Sequence, residues 1–244
     1  MGMKSEYKFP SDYKNLKETH KAILESSEQI LGKLGVSGFE LKNLAKELGV
    51  GPSLIHHYYK TGEELIFDTV IYSYQKHISG IVKTAQGESD PEKVLRIWVE
   101  RTIYWTTNYP GVATNLEFPR QVIRAGSKFS KNSDEILNAF LKVVGEMGIS
   151  NVSFMSSAVR CLQKGKDFKV FTGLQIAAFI KSDSKFAMFA STVGFATIGG
   201  GLWMAGRQPE SKKMPLWMKV GFNPEKQLKD SVDQMMKLIK AESK

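Results

Sequence analysis

The side chains best placed for chemistry lie in residues 41–65, LKNLAKELGVGPSLIHHYYKTGEEL, where Ser53, His56, His57, Tyr58, Lys42 and Lys60 surround a glycine-containing turn. Such groups either catalyse or recognise. Catalysis lacks its usual frame: the chain has no G-x-S-x-G, P-loop or H-E-x-x-H pattern, and Gly199-Gly200-Gly201 sits inside an apolar run. The single cysteine, Cys161, and four histidines have no zinc spacing. No catalytic residue, metal site or cofactor is therefore expected. Recognition needs donors and acceptors at base edges and clamps on phosphates, and this stretch carries both kinds of group.

Two short helices must hold these groups. Leu41, Leu44, Ala45 and Leu48 follow the i, i+3, i+4, i+7 spacing of one helix face. Gly49 breaks that pattern, and Val50 anchors the turn. Pro52 suits the first position of a new helix, where its missing N–H costs nothing. Leu54, Ile55, Tyr58 and Tyr59 give that helix an inner side. Helix, glycine turn, helix is the layout of a helix-turn-helix, whose second helix enters the DNA major groove. The same spacing also suits an αα-hairpin with no role at DNA.

Residues 17–77 resemble the DNA-binding domain of the TetR family of transcriptional regulators. The resemblance is carried by Ile23, Leu24, Ile30 and Leu31 in a long first helix, Lys33-Leu34-Gly35 at its end, Leu44-Ala45, Leu48-Gly49-Val50, His56-His57-Tyr58-Tyr59, and Thr61-Gly62-Glu63-Glu64-Leu65 opening a fourth helix. It implies an all-α chain: an N-terminal three-helix helix-turn-helix domain and a C-terminal helical domain for ligand binding and dimerisation. It also implies that Ser53 and His56 face bases, that Pro52 and Leu54 offer apolar contact, and that His57, Tyr58, Lys42 and Lys60 meet phosphates. Glu40 stands where many relatives have a capping Thr or Ser, and Gly62 where many have Lys. Both changes remove an expected phosphate contact.

With 42% hydrophobic and 24% charged residues, the chain has the composition of a globular protein. One cysteine excludes an internal disulfide framework and fits a reducing cytoplasm. The polar start MGMKSEYKFPSDYK has no apolar signal region. The net charge of +9 suits an anionic partner. Its distribution does not locate that partner: through Gly62 nine Lys/Arg face seven Asp/Glu, +2, leaving +7 beyond.

We divide the chain into an arm at 1–14, a DNA-binding domain at 15–77 and a helical domain at 78–244. The arm carries Lys4, Lys8 and Lys14 between aromatics; it is either a frayed tail or a minor-groove contact. The first helix is expected from Asn15 to Leu34 and the fourth to near Gly87. Asp90-Pro91-Glu92 caps a fifth helix ending at Tyr109-Pro110-Gly111. Separate helices are expected over 133–147 and 151–163, then over 168–180 and 186–206. Phe186 to Gly206 holds no charge over 21 residues, long enough to span a bilayer. Its five Gly and three Ser/Thr, without an aromatic belt at both ends, favour close helix packing instead.

Trp98, Trp105, Phe118, Phe154 and Phe171 are candidates to line an apolar pocket, with Arg101 and Gln175 as polar groups to orient a ligand. The same aromatics equally suit a filled core. Leu228, Val232, Met235 and Ile239 form a 4-3-4 seam that wants a partner. With Ala190 and Gly194 they are the expected homodimer interface. The expected function is a ligand-released repressor, binding a palindromic operator as a dimer and sensing an apolar or amphipathic molecule. A DNA-bound protein that recruits a protein partner, and a helical membrane-surface protein, are the alternatives.

Overall fold

The computed structural model describes residues 9–10, 13, 15–117 and 133–171, with isolated positions between 175 and 241. Seven α-helices are described: α1 (Glu18–Leu34), α2 (Leu41–Leu48), α3 (Pro52–Tyr58), α4 (Gly62–Thr84), α5 (Pro91–Asn108), α6 (Pro110–Glu117) and α7 (Ser133–Gln163). A 3₁₀ turn, Val36–Gly38, links α1 to α2. No strand occurs among the described residues, and no helix among them is long and apolar enough to cross a membrane. The chain packs as two units, Met1–Lys76 with Tyr109–Glu146, and His77–Asn108 with Met147–Lys244.

Turn chemistry sets the first three helices. Gly49 adopts the left-handed conformation at φ 65°. It lets its own N–H reach the Lys46 carbonyl at 3.2 Å and the Val50 N–H reach that of Ala45 at 3.0 Å. This Schellman closure ends α2 after eight residues. Pro52 then opens α3 at its first position. The core of the first unit collects Ile23, Leu24 and Leu31 of α1, Leu44 of α2, Ile55 of α3, and Leu65, Phe67, Val70 and Ile71 of α4, all buried. Phe67 meets Phe140 of α7 with ring centroids 4.6 Å apart.

The helix α6 crosses α1 at backbone contact. A Cβ on Gly111 would lie 1.9 Å from the Leu31 carbonyl oxygen, and one on Gly32 would lie 3.1 Å from the Tyr109 ring. Two glycines thus permit an approach that side chains would forbid, and they bring α6 into the N-terminal unit.

In the second unit the Asp90 side chain accepts the Glu92 N–H at 2.9 Å, the expected cap of α5. Ile81 of α4, Val94, Leu95, Trp98 and Val99 of α5, and Met155, Ala158 and Val159 of α7 form one buried cluster, joined by Met236. Arg96 fixes Asp233 at 2.8 Å.

Several boundaries differ from expectation. The first helix starts at Glu18, not Asn15, and α4 stops at Thr84. The fifth helix ends at Asn108, before Tyr109-Pro110-Gly111 as expected, and Pro110 begins α6 after one residue, because its fixed φ suits a helix start. The break expected between 147 and 151 is absent: α7 runs unbroken for 31 residues. Gly145 and Gly148 cost about 1 kcal/mol each in a helix interior, less than the burial of Ile136, Phe140, Phe154 and Met155 on either side contributes. Phe9 and Tyr13, assigned to a free arm, are each only 8% exposed. Residues 1–8 and 186–206 lie outside the described residues.

Gly111→Ala is expected to lower the melting temperature by about 10 °C, since the clash is with backbone. Gly145→Ala, whose Cβ meets nothing within 4 Å, is expected to raise stability by about 0.5–1 kcal/mol. Thermal melts followed by circular dichroism check both; equal shifts for the two would contradict the close crossing.

Candidate nucleic-acid interface

A helix of seven residues is too short to be stable alone, so α3 takes its orientation from its buried side. Ile55 is fully buried and Tyr59, at the C-cap, is 3% exposed. Opposite them Pro52, Ser53, His56, His57 and Lys60 are all exposed. The strip therefore gathers five of the eight residues expected at DNA; Leu54 is half-buried beside it. Tyr58 does not join it. Its ring is half-buried and leans on His20 of α1, with centroids 4.9 Å apart. Lys42 is exposed on α2 and ion-paired to Glu40 at 2.8 Å.

One carboxylate anchors this arrangement. Asp68 of α4 is 1% exposed. Its Oδ2 accepts the Tyr59 hydroxyl at 2.5 Å, and its Oδ1 accepts the Tyr13 hydroxyl. His20 Nε2 lies 2.6 Å from the Tyr59 oxygen and 3.8 Å from Asp68 Oδ2. The end of α3, the N-terminal segment, α1 and α4 thus meet at one group. A buried carboxylate is costly unless donors surround it, and here they do.

The start of α4 is tied to the same region. The Thr61 hydroxyl accepts the Glu64 N–H at 3.2 Å, while the Glu64 carboxylate accepts the Lys60 N–H at 2.8 Å. This is a capping box reaching one residue further back than the usual form. It needs no side chain at Gly62. Further along α4, Lys76 pairs with the buried Glu28 of α1 at 2.7 Å. The Tyr72 hydroxyl donates to Glu25 at 3.2 Å. Burial, then the charge of Glu25, pushes the Tyr72 phenol well above its ordinary range.

The second unit scatters the residues expected to line a pocket. Trp98 and Phe154 share the buried cluster, and Trp98 Nε1 donates to Asn151 Oδ1 at 2.9 Å. Trp105 is buried and stacks on His77 at 4.8 Å. Arg101 is exposed rather than turned inward, its guanidinium donating to the Gly80 carbonyl at 3.2 Å. Phe171 is half-buried, its N–H bonded to Ser157 Oγ at 3.0 Å. Gln175 is exposed. Phe118, and the interface candidates Ala190, Gly194, Leu228, Val232, Met235 and Ile239, lie outside the described residues.

Sequence reasoning missed His20, Asp68, Glu28 and His77. A usable signal was present for Asp68, a charge inside the apolar run Leu65 to Ile71. His77 is 8% exposed, with Thr102 Oγ1 3.4 Å from its Nε2. Burial, then the positive charge of Arg101, lowers its pKa from 6.5 to about 3.

No family model matches the sequence, and neither does any curated protein. Solved structures do match. The TetR family regulator PfmR from Thermus thermophilus is 16% identical, covering 88% of this chain and 97% of its own, with a TM-score of 0.53. AibR, solved with isovaleryl coenzyme A and operator DNA, is 14% identical over 89% and 97%, also at 0.53. FadR from Bacillus subtilis, solved with stearoyl-CoA, is 9% identical over 89% and 97%, again at 0.53. The chain has the fold of TetR-family transcriptional regulators: an N-terminal helix-turn-helix domain and a C-terminal helical domain.

Tyr59→Phe and Tyr13→Phe are each expected to cost about 1–3 kcal/mol in urea unfolding. Their double variant should depart from additivity because both donors serve one carboxylate; additive losses below about 0.5 kcal/mol would contradict the network. His77 is held neutral in the fold. Its contribution is complete above pH 6.5 and is lost as pH falls toward 3. At pH 5 the loss reaches about 2 kcal/mol. Melting temperatures from pH 7 to about 5 should fall less steeply for His77→Phe than for the unaltered chain; parallel curves would refute this.

Proposed function

We propose that this chain is a DNA-binding transcriptional regulator, a repressor that grips a palindromic operator as a dimer and releases it on binding an amphipathic small molecule. The observation that carries the reading is the exposed polar strip of α3, set over buried Ile55 and Tyr59 and held by Asp68. Ser53 and His56 supply groups for base edges; His57 and Lys60 supply groups for phosphates. Lys42 adds a phosphate contact from α2. The domain boundary at 77/78 and the C-terminal dimer seam belong to the same proposal.

The ligand class draws on two proteins of the same fold, one solved with isovaleryl coenzyme A and one with stearoyl-CoA. An acyl thioester also suits the +7 excess beyond Gly62. Release works by population shift. The ligand favours a state in which the two α3 helices no longer match successive major grooves, about 34 Å apart. It must bind that state more tightly than the DNA-bound one, since equal affinity shifts nothing. The second reading, recruitment of a protein partner without a small molecule, gains support from Trp98 and Phe154, which are packed into the core.

Selection of bound fragments from random duplex DNA, followed by titration with isovaleryl-CoA and stearoyl-CoA, tests both. We expect a palindromic consensus with half-sites one helical turn apart, and release by at least one thioester. Ser53→Ala or His56→Ala should weaken the selected site about 5- to 100-fold while leaving bulk DNA binding unchanged. Selection without enrichment would sink the reading; enrichment without thioester release would favour the protein-recruiting alternative.

A further inference from the structure

Glu40 and Lys42 stand at the start of α2, and no packing explains their pairing. Glu40 occupies the N-cap position with an extended backbone, yet its side chain makes no capping hydrogen bond. Its Oε2 instead accepts from Lys42 Nζ at 2.8 Å, although the two side chains are 50% and 77% exposed. The hydrogen bond, then the carboxylate charge, holds the proton on Lys42 more firmly than usual. In a helix-turn-helix the first helix crosses the DNA backbone. A lysine there serves phosphate only after leaving its carboxylate.

We propose that Glu40 is an intramolecular competitor for DNA phosphate, occupying Lys42 so that each chain must open one ion pair before it can make that contact. The inference rests on the reading of α2 and α3 as a DNA-binding unit. An exposed pair contributes little to stability in water, because solvent and salt screen it. Beside a duplex the freed carboxylate also meets phosphate charge, so opening the pair costs more than the pair is worth in isolation. Phosphate contacts carry no base information. The competitor therefore weakens binding to all sequences alike and leaves readout by Ser53 and His56 untouched.

The test measures the full chain on a labelled mixed-sequence duplex of about 40 base pairs, between about 50 and 200 mM potassium chloride. It compares the unaltered chain with E40Q, K42A and the double variant, each first matched for helical content by circular dichroism. We expect E40Q to tighten binding about fivefold at the middle of that range and to steepen the salt dependence by about 0.9 per bound chain. Both gains should vanish in the K42A background. An E40Q gain of the same size without Lys42 would overturn the proposal, because the carboxylate would then only repel DNA. So would an E40Q chain that binds DNA no differently from the unaltered one. Failure of all four proteins to bind at the lowest salt would instead sink the underlying DNA-binding reading.

Discussion

The arrangement of the N-terminal unit depends on the Asp68 carboxylate. It is nearly inaccessible to water and receives the hydroxyls of Tyr13 and Tyr59, with His20 alongside. Removing such a group from water costs several kcal/mol, which only well-placed donors offset. The donors come from three segments, so satisfying one charge constrains all of them. The helix α3 has seven residues and one fully buried side chain, Ile55. Its packing alone leaves rotation about its axis weakly specified. The Tyr59 hydroxyl on Asp68 removes that freedom and turns Ser53, His56 and His57 outward.

A second constraint is steric. Gly32 and Gly111 let α1 and α6 touch backbone to backbone. The consequence is that Tyr109–Glu146 packs with the N-terminal elements although α5 separates them in sequence. Both α4 and α7 accordingly contribute residues to both units. The Lys76–Glu28 pair and the Tyr72–Glu25 bond add polar ties between α4 and α1. Such ties matter most where a partner is buried, as Glu28 is, because a lone buried charge is far more costly than an exposed one.

Charge is distributed less usefully than the +9 total suggests. The stretch through Gly62 carries only +2, and there Lys42 and Lys21 have carboxylates within 4.0 Å. The helix α3 itself carries no lysine or arginine, so positive charge beside it comes only from α2 and from Lys60. On the proposed function, recognition therefore leans on hydrogen bonds from few side chains and on repetition of the unit in a dimer.

Local chemistry was legible in the sequence. Gly49 read as the break after α2, Pro52 as a helix start and Asp90 as a cap, because each acts on backbone within a few residues of itself. The apolar spacing of Leu41 to Leu48 and the inner placement of Ile55 and Tyr59 followed from helical periodicity alone. Long-range partners were not legible. Tyr13 reaches Asp68 across 55 residues and Lys76 reaches Glu28 across 48, and no local rule chooses among the many carboxylates available. Residues 133–147 and 151–163 read as separate helices, yet α7 continues because burial on both sides outweighs the low helix propensity of Gly145 and Gly148. Tyr109-Pro110-Gly111 read as the end of α5, which does stop at Asn108, but the close approach of Gly111 to the Leu31 carbonyl was not legible. The sequence by itself determined the bounds of α2, α3 and α5 and the Asp90 cap, since these depend on neighbours along the chain. Only the tertiary structure decided which buried charges meet and which helices touch, since those depend on groups that folding brings together from distant positions.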